Sequence, residues 1–189
     1  MEAFLRTLFP RVLPHGSRYK IFYFQGKGHL LSKLQARLRA YASPKADVGR
    51  IIVLVDCDSD ECIALKRQLE EIASRAGLIT RTASREGWRV ANRIAIEELE
   101  AWYFGDWEVV ARAFPKASLS KREISRNPDS ISGGTWEQLE RVLQRAGYFR
   151  GGLRKLELAR KVASHFDPTR CSSPSFRIFL DAVIEAQMA

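Results

Sequence analysis

Arg50-Ile51-Ile52-Val53-Leu54-Val55-Asp56-Cys57-Asp58-Ser59-Asp60 is the stretch that decides the fold. Five branched aliphatic residues run without a break, then give way to acids at alternate positions: Asp56, Asp58 and Asp60. An apolar run of this length reads as a strand buried on both faces, the kind found inside a parallel sheet. Unpaired charge cannot continue into a core, so the acids mark the strand's carboxyl end. Open α/β sheets place their ligands at that end. Clustered carboxylates there need a cation. An all-oxygen donor set favours magnesium, with manganese as a substitute, over zinc or copper. A second role is open to Asp58: with Glu61 three residues on, ahead of Cys62, Ala64 and Leu65, it makes a capping-box pattern for a following helix. The two roles are compatible, because capping does not need Asp56. Asp60 can join the ion through water or favour the helix N-terminus by its charge.

On the N-terminal side, Phe4, Leu5, Leu8, Phe9 and Val12 form a helical stripe over residues 2–13, which Pro10 is expected to bend or end. Tyr19 to Phe24 is aromatic and β-branched, which predicts a strand closed by Gly26-Lys27-Gly28. That triplet lacks the further glycine and the Lys-Ser/Thr ending of a phosphate loop, so it is not read as one. Leu30, Leu31, Leu34 and Leu38 predict a helix over 29–41, closed by Ser43-Pro44. Beyond the acids, Ile63, Leu65, Leu69 and Ile72 line a helix over 60–76 that Gly77 stops. Residues 78–82 read as a short strand or the approach to one. Trp88 to Ile96 reads as a further strand that runs into a helix start at Glu97-Glu98-Leu99-Glu100. Alternating helices and strands argue for a mostly parallel sheet flanked by helices, an α/β fold.

After Asp106 the strands stop. A helix ends at Pro115, and residues 115–134 form a polar loop of a length usually tied to function or mobility. Thr135 with Gln138 predicts a capped helix over 136–147. Another helix covers 153–166, and Ser173-Pro174 opens the last one. The expected organisation is an α/β core over 1–105 and a helical C-terminal extension over 106–189.

The chain has 189 residues, which suits one compact domain or a domain with such an extension. Its net charge of +9 favours a polyanionic partner such as nucleic acid, and the arginines are spread along the chain, so a folded basic surface is expected rather than a basic tail. No apolar stretch approaches the roughly 20 residues that span a bilayer, and no signal-peptide pattern opens the chain, so no membrane role and a cytoplasmic location are expected. Cys57, Cys62 and Cys171 have no zinc-like pairing and are read as free, reduced thiols. His15, His29 and His165 form no ligand motif.

A buried strand ending in Asp-x-Asp at Asp56 and Asp58, followed by a helix within an α/β unit, resembles the TOPRIM fold of topoisomerases, primases and OLD-type nucleases. Glu2-Ala3-Phe4-Leu5, Glu100-Ala101-Trp102 and Ser173-Pro174-Ser175-Phe176 are similar to a bacterial TOPRIM-like family of unknown function often found beside ATPase genes. The resemblance implies magnesium-dependent phosphodiester cleavage with Asp56 and Asp58 as metal ligands, an ATPase partner protein, and a setting in bacterial defence. It implies a TOPRIM-like core over about 1–105 and lifts Glu100 above Glu97 and Glu98 as a third catalytic acid. It also implies a catalytic glutamate at the end of a first strand. The chain opens on a helix at Glu2, so that strand is expected ahead of Met1 or is lacking.

Phosphate contacts are expected from Lys155, Lys161 and Arg170, or from Lys121 and Arg122 in the long loop; such contacts set affinity without reading sequence. Trp102 reads as core rather than as a base-stacking platform. An alternative reading makes the chain a non-catalytic partner-binding module with a degenerate TOPRIM core, and a third a small phosphotransfer or nucleotide-binding enzyme. A homo-oligomer is compatible with all of them.

Overall fold

The structure is a computed structural model that describes residues 1–43, 45, 46, 48–58, 61–124, 126–131 and 133–188. The elements are α1 (Glu2–Val12), α2 (Gly26–Ala42), β1 (Ile51–Asp56), α3 (Cys62–Arg75), β2 (Val90–Ala95), α4 (Glu100–Gly105), α5 (Trp107–Ala113), a 3₁₀ turn (Pro128–Ser130), α6 (Thr135–Arg145), α7 (Lys155–His165) and α8 (Pro174–Gln187). The class is α/β, with a two-stranded parallel sheet flanked by helices. Two units divide the chain: residues 1–21 with 96–177, and 22–95 with 178–189.

In the second unit β1 and β2 pair in parallel, Ile51 opposite Val90 through Asp56 opposite Ala95. Parallel strands need a crossover, and α3 lies within it. Alternation sends Val53 and Val55 to one face, where they pack with Leu34 and Leu38 of α2 and Leu65, Leu69 and Ile72 of α3. Ile52 goes to the other face, with Trp88, Ala91 and Ala182. The outer edge of β2 is blocked by charge: the Asn92 carbonyl accepts Lys66 Nζ at 2.8 Å and Arg93 Nη1 at 2.7 Å. Such plugs stop a sheet edge from pairing with another chain. Burial pushes the pKa of Arg93 down.

Residues 19–24 form no strand, although their side chains favour one. A strand needs a neighbour, and no described segment pairs with them. Phe22 and Phe24 instead lie beside the Arg37 guanidinium, 4.6 and 5.6 Å from their ring centres. Residues 78–82 supply a single bridge, Thr80 to Val90. Helix α1 runs on through Pro10, because a proline in the last turn removes only one ladder bond. Pro44, expected to close α2, lies outside the described residues.

Arg81 donates to the Glu185 carboxylate of α8, one contact at 2.7 Å, and holds the Glu185 pKa down at about 2. The ordinary value is 4.5, so the stabilisation is complete above about pH 4.5 and is lost as the pH falls towards 2. The Glu185 side chain is 35% exposed, which reduces the contribution to about 1 kcal/mol. Glu185→Gln is therefore expected to lower the urea midpoint at pH 7 and to converge on wild type as the pH falls to about 2 and below. Equal midpoints at pH 7 would remove the pair from the stability of this unit.

The first unit has an aromatic centre. Phe4 meets Trp102, Tyr103 and Phe166 at centroid distances of 6.1, 5.5 and 5.1 Å, and Phe176 lies 5.1 Å from both Trp102 and Phe166. Trp102 is fully buried, as its reading as core requires.

Candidate functional site

Asp56 ends β1 half-buried, with its Oδ1 enclosed. The ladder continues one residue further, Cys57 N donating to Ala95 O at 2.9 Å. Alternation puts Asp56 on the face of Ile52 and Leu54, opposite the face that α2 and α3 cover. At Asp58 the chain turns with φ +51°, a left-handed conformation that a short acidic side chain tolerates. Lys27, in the first turn of α2, spans the turn: its Nζ lies 2.8 Å from Cys57 O and 2.9 Å from Asp58 Oδ2.

Two expectations about this turn are corrected. Asp58 does not cap α3. Glu61 is the N-cap, accepting from Ile63 N at 3.2 Å and Ala64 N at 2.8 Å, while the left-handed turn takes the Asp58 carboxylate to Lys27. Cys57 and Cys62 are not free thiols. The turn brings their Cα atoms to 5.8 Å, the usual separation for a bridge, and they form a disulfide. Cys171 is a buried free thiol, and burial pushes its pKa up to about 12. Asp60 lies outside the described residues.

The other expected site residues belong to the first unit. Glu100 is the first residue of α4 and half-buried. Lys155 Nζ sits 3.8 Å from the centre of the Trp136 ring. With Arg154, Arg160 and Lys161 it lines an open depression of about 560 Å³, in which Glu157 is the one acid. Arg170 is held by acids: it lies 2.8 Å from Asp106, 2.7 Å from Glu108 and 3.9 Å from Asp167. Its hydrogen bonds to the Asp106 and Glu108 carboxylates raise its pKa. Lys121 and Arg122 are exposed in a turn.

Sequence reasoning missed three polar residues. Lys27 looked like a failed phosphate loop, and its tie to Asp58 crosses a separation of 31 residues. Glu98 looked like part of a solvated charge run. It accepts from Thr135 Oγ1 at 3.1 Å and Trp136 N at 2.8 Å, and so caps α6 in place of the expected Thr135–Gln138 box. Asp129 sits buried in the long loop and accepts from Ser173 and Ser175 at the start of α8. No local pattern announces a partner that far along the chain.

Among the described residues no group of three or more His, Cys, Asp or Glu side chains gathers around a point. A magnesium ion does not require one: it keeps several waters and takes one or two carboxylates together with substrate phosphate. The oxygen donors of Asp56 and Asp58 fit that chemistry, with Lys27 as an internal competitor for Asp58. The Lys27–Asp58 pair leaves half of the Asp58 side chain exposed, and such pairs are weak.

A family model described as a domain of unknown function, DUF4276, matches residues 1–184. The chain belongs to the DUF4276 family. No curated protein and no solved structure matches it. DUF4276 membership accounts for the whole run from α1 to the last turns of α8, so both units belong to one family unit. No helix among the described residues of this DUF4276 chain is long and apolar enough to cross a membrane.

Proposed function

We propose that this chain is a magnesium-dependent nuclease with a TOPRIM-like core. The observation that carries the reading is the delivery of Asp56, with Asp58 two residues on, to the carboxyl end of a parallel strand in a chain of net charge +9. Asp56 and Asp58 hold the ion, which when bound offsets phosphate charge. Lys27 sets an ammonium beside Asp58, where it can pass from the carboxylate to a phosphate oxygen as substrate arrives. Lys155, with Arg154, Arg160 and Lys161 around it, suits the nucleic-acid backbone. The sequence resemblance assigns Glu100, which lies in the first unit, as a third catalytic acid. Arg170 is left out, because its guanidinium already serves three carboxylates. The resemblance to families found beside ATPase genes suggests an ATPase partner and a place as effector in bacterial defence.

A second reading is favoured by one observation. The Lys27–Asp58 pair neutralises a would-be metal ligand, as expected of a degenerate core that docks a partner without catalysis. Incubation of the protein with DNA and with RNA, with magnesium or manganese, alone and with the product of any ATPase gene found beside its own, separates the two. Cleavage abolished by a chelator supports the nuclease. A protein that is inert under all these conditions and binds such an ATPase supports the module.

A further inference from the structure

The Cys57–Cys62 bridge lies between the two candidate metal ligands and the helix that follows them. Cys57 stands between Asp56 and Asp58, and Cys62 is the first residue of α3. The bridge therefore closes a ring of chain that contains Asp58 and Glu61. Two further ties hold that ring: Lys27, on Cys57 O and Asp58, and the Glu61 cap on α3. The two sulfur-bearing residues differ in access. Cys57 is 1% exposed, whereas Cys62 is partly exposed. The third cysteine takes no part, since the Cys171 thiol is buried and pushed up to about 12, which keeps it protonated.

We propose that Cys57 and Cys62 form a reversible disulfide, opened by a dithiol reductant, whose state sets how tightly the Asp58 turn is held. The proposal goes beyond the nuclease reading and stands without it. A thiolate of the reductant attacks the accessible Cys62 Sγ, the S–S bond breaks, and the Cys57 thiolate leaves and takes up a proton. The reductant's second thiolate then attacks its own sulfur in the mixed disulfide. The Cys62 thiolate departs from the N-terminus of α3, where the helix dipole favours negative charge, and is then protonated. Two electrons pass from the dithiol to the protein, which ends with two thiols, while the reductant ends as a disulfide. Opening the ring removes the covalent constraint on Asp58, whose left-handed backbone an L-residue adopts at a cost. Lys27 and the Glu61 cap remain as ties on the described residues of the turn.

Thiol counting and hydrogen exchange test this. Protein equilibrated with oxidised glutathione, denatured and treated with iodoacetamide is expected to take up one alkyl group, at Cys171. After dithiothreitol it is expected to take up three. In the native protein, backbone exchange in a peptide covering 57–61 is expected to rise at least about threefold on reduction, while β1 and β2 keep their protection. The Cys57→Ser/Cys62→Ser variant is expected to exchange at the fast rate with or without dithiothreitol. If that variant fails to fold, the two wild-type states decide alone. Three alkyl groups after oxidation, a single group after dithiothreitol, or equal exchange in the two wild-type states overturns the proposal.

Discussion

Asp129→Ala is expected to destabilise the protein by about 3 kcal/mol, although the residue lies in an irregular loop. Asp129 is 8% exposed, and its carboxylate accepts from Ser173 Oγ at 2.7 Å, Ser175 N at 2.7 Å and Ser175 Oγ at 3.2 Å. The two hydroxyls carry the network on: Trp102 Nε1 donates to Ser175 Oγ at 2.9 Å, and Phe176 N donates to Ser173 Oγ at 3.1 Å. Truncation strands the Ser175 N–H and one hydroxyl in a dry interior, each costing about 1–3 kcal/mol where nothing replaces the acceptor; the other hydroxyl can donate across the 3.1 Å between Ser173 Oγ and Ser175 Oγ. It also removes a negative charge from the N-terminus of α8, where the dipole favours one. Relaxation recovers part of the sum, which sets the expected net loss. Asp129→Asn keeps one acceptor oxygen and is expected to lose about half as much. Urea denaturation followed by tryptophan fluorescence reads both, because Trp102 is a member of the network. A loss below about 0.5 kcal/mol for the alanine variant would mean that water replaces the carboxylate and that the loop does not anchor the helix.

The network also marks the limit of what the sequence tells. The strand 51–56 was legible because an unbroken aliphatic run ending in acids fits little besides a buried strand that stops at a mouth. Most helices were legible from their apolar spacing and from Gly77 and Pro174 at their ends. Tyr19 to Phe24 misled because strand preference belongs to a pair of strands, and a sequence window contains only one. The Cys57–Cys62 bridge was invisible because its geometry depends on how sharply the chain turns at Asp58. Asp58 looked like the cap of α3 with Glu61 as its partner in a capping box, and only the direction of that turn shows that Glu61 is itself the cap. Asp129, Glu98 and Lys27 each act on a partner more than 30 residues away, beyond the reach of any local pattern.

Asp56→Asn is expected to reduce magnesium-dependent cleavage at least about 100-fold, equivalent to about 2.7 kcal/mol of barrier, if the nuclease reading holds. The amide keeps the size of the carboxylate and removes the charge that would hold the ion. The half-buried position of Asp56 allows few waters to compensate. Asp58→Asn removes the same charge from an exposed position and also releases Lys27. Its expected effect is smaller, about 10-fold, and reads mainly as a weaker apparent affinity for magnesium. Lys27→Met separates competition from assistance. If Lys27 only competes with the ion for Asp58, its loss strengthens apparent magnesium binding and leaves the maximal rate unchanged. If Lys27 transfers to a phosphate oxygen, the maximal rate falls while magnesium binding still strengthens. Lys27 is only 20% exposed and also donates to Cys57 O, so a loss of about 1–2 kcal/mol is expected, and the rates are compared at a temperature well below both melting midpoints. Full cleavage by Asp56→Asn would move the chemistry away from the end of β1 and leave the acid pair as the remnant of a site.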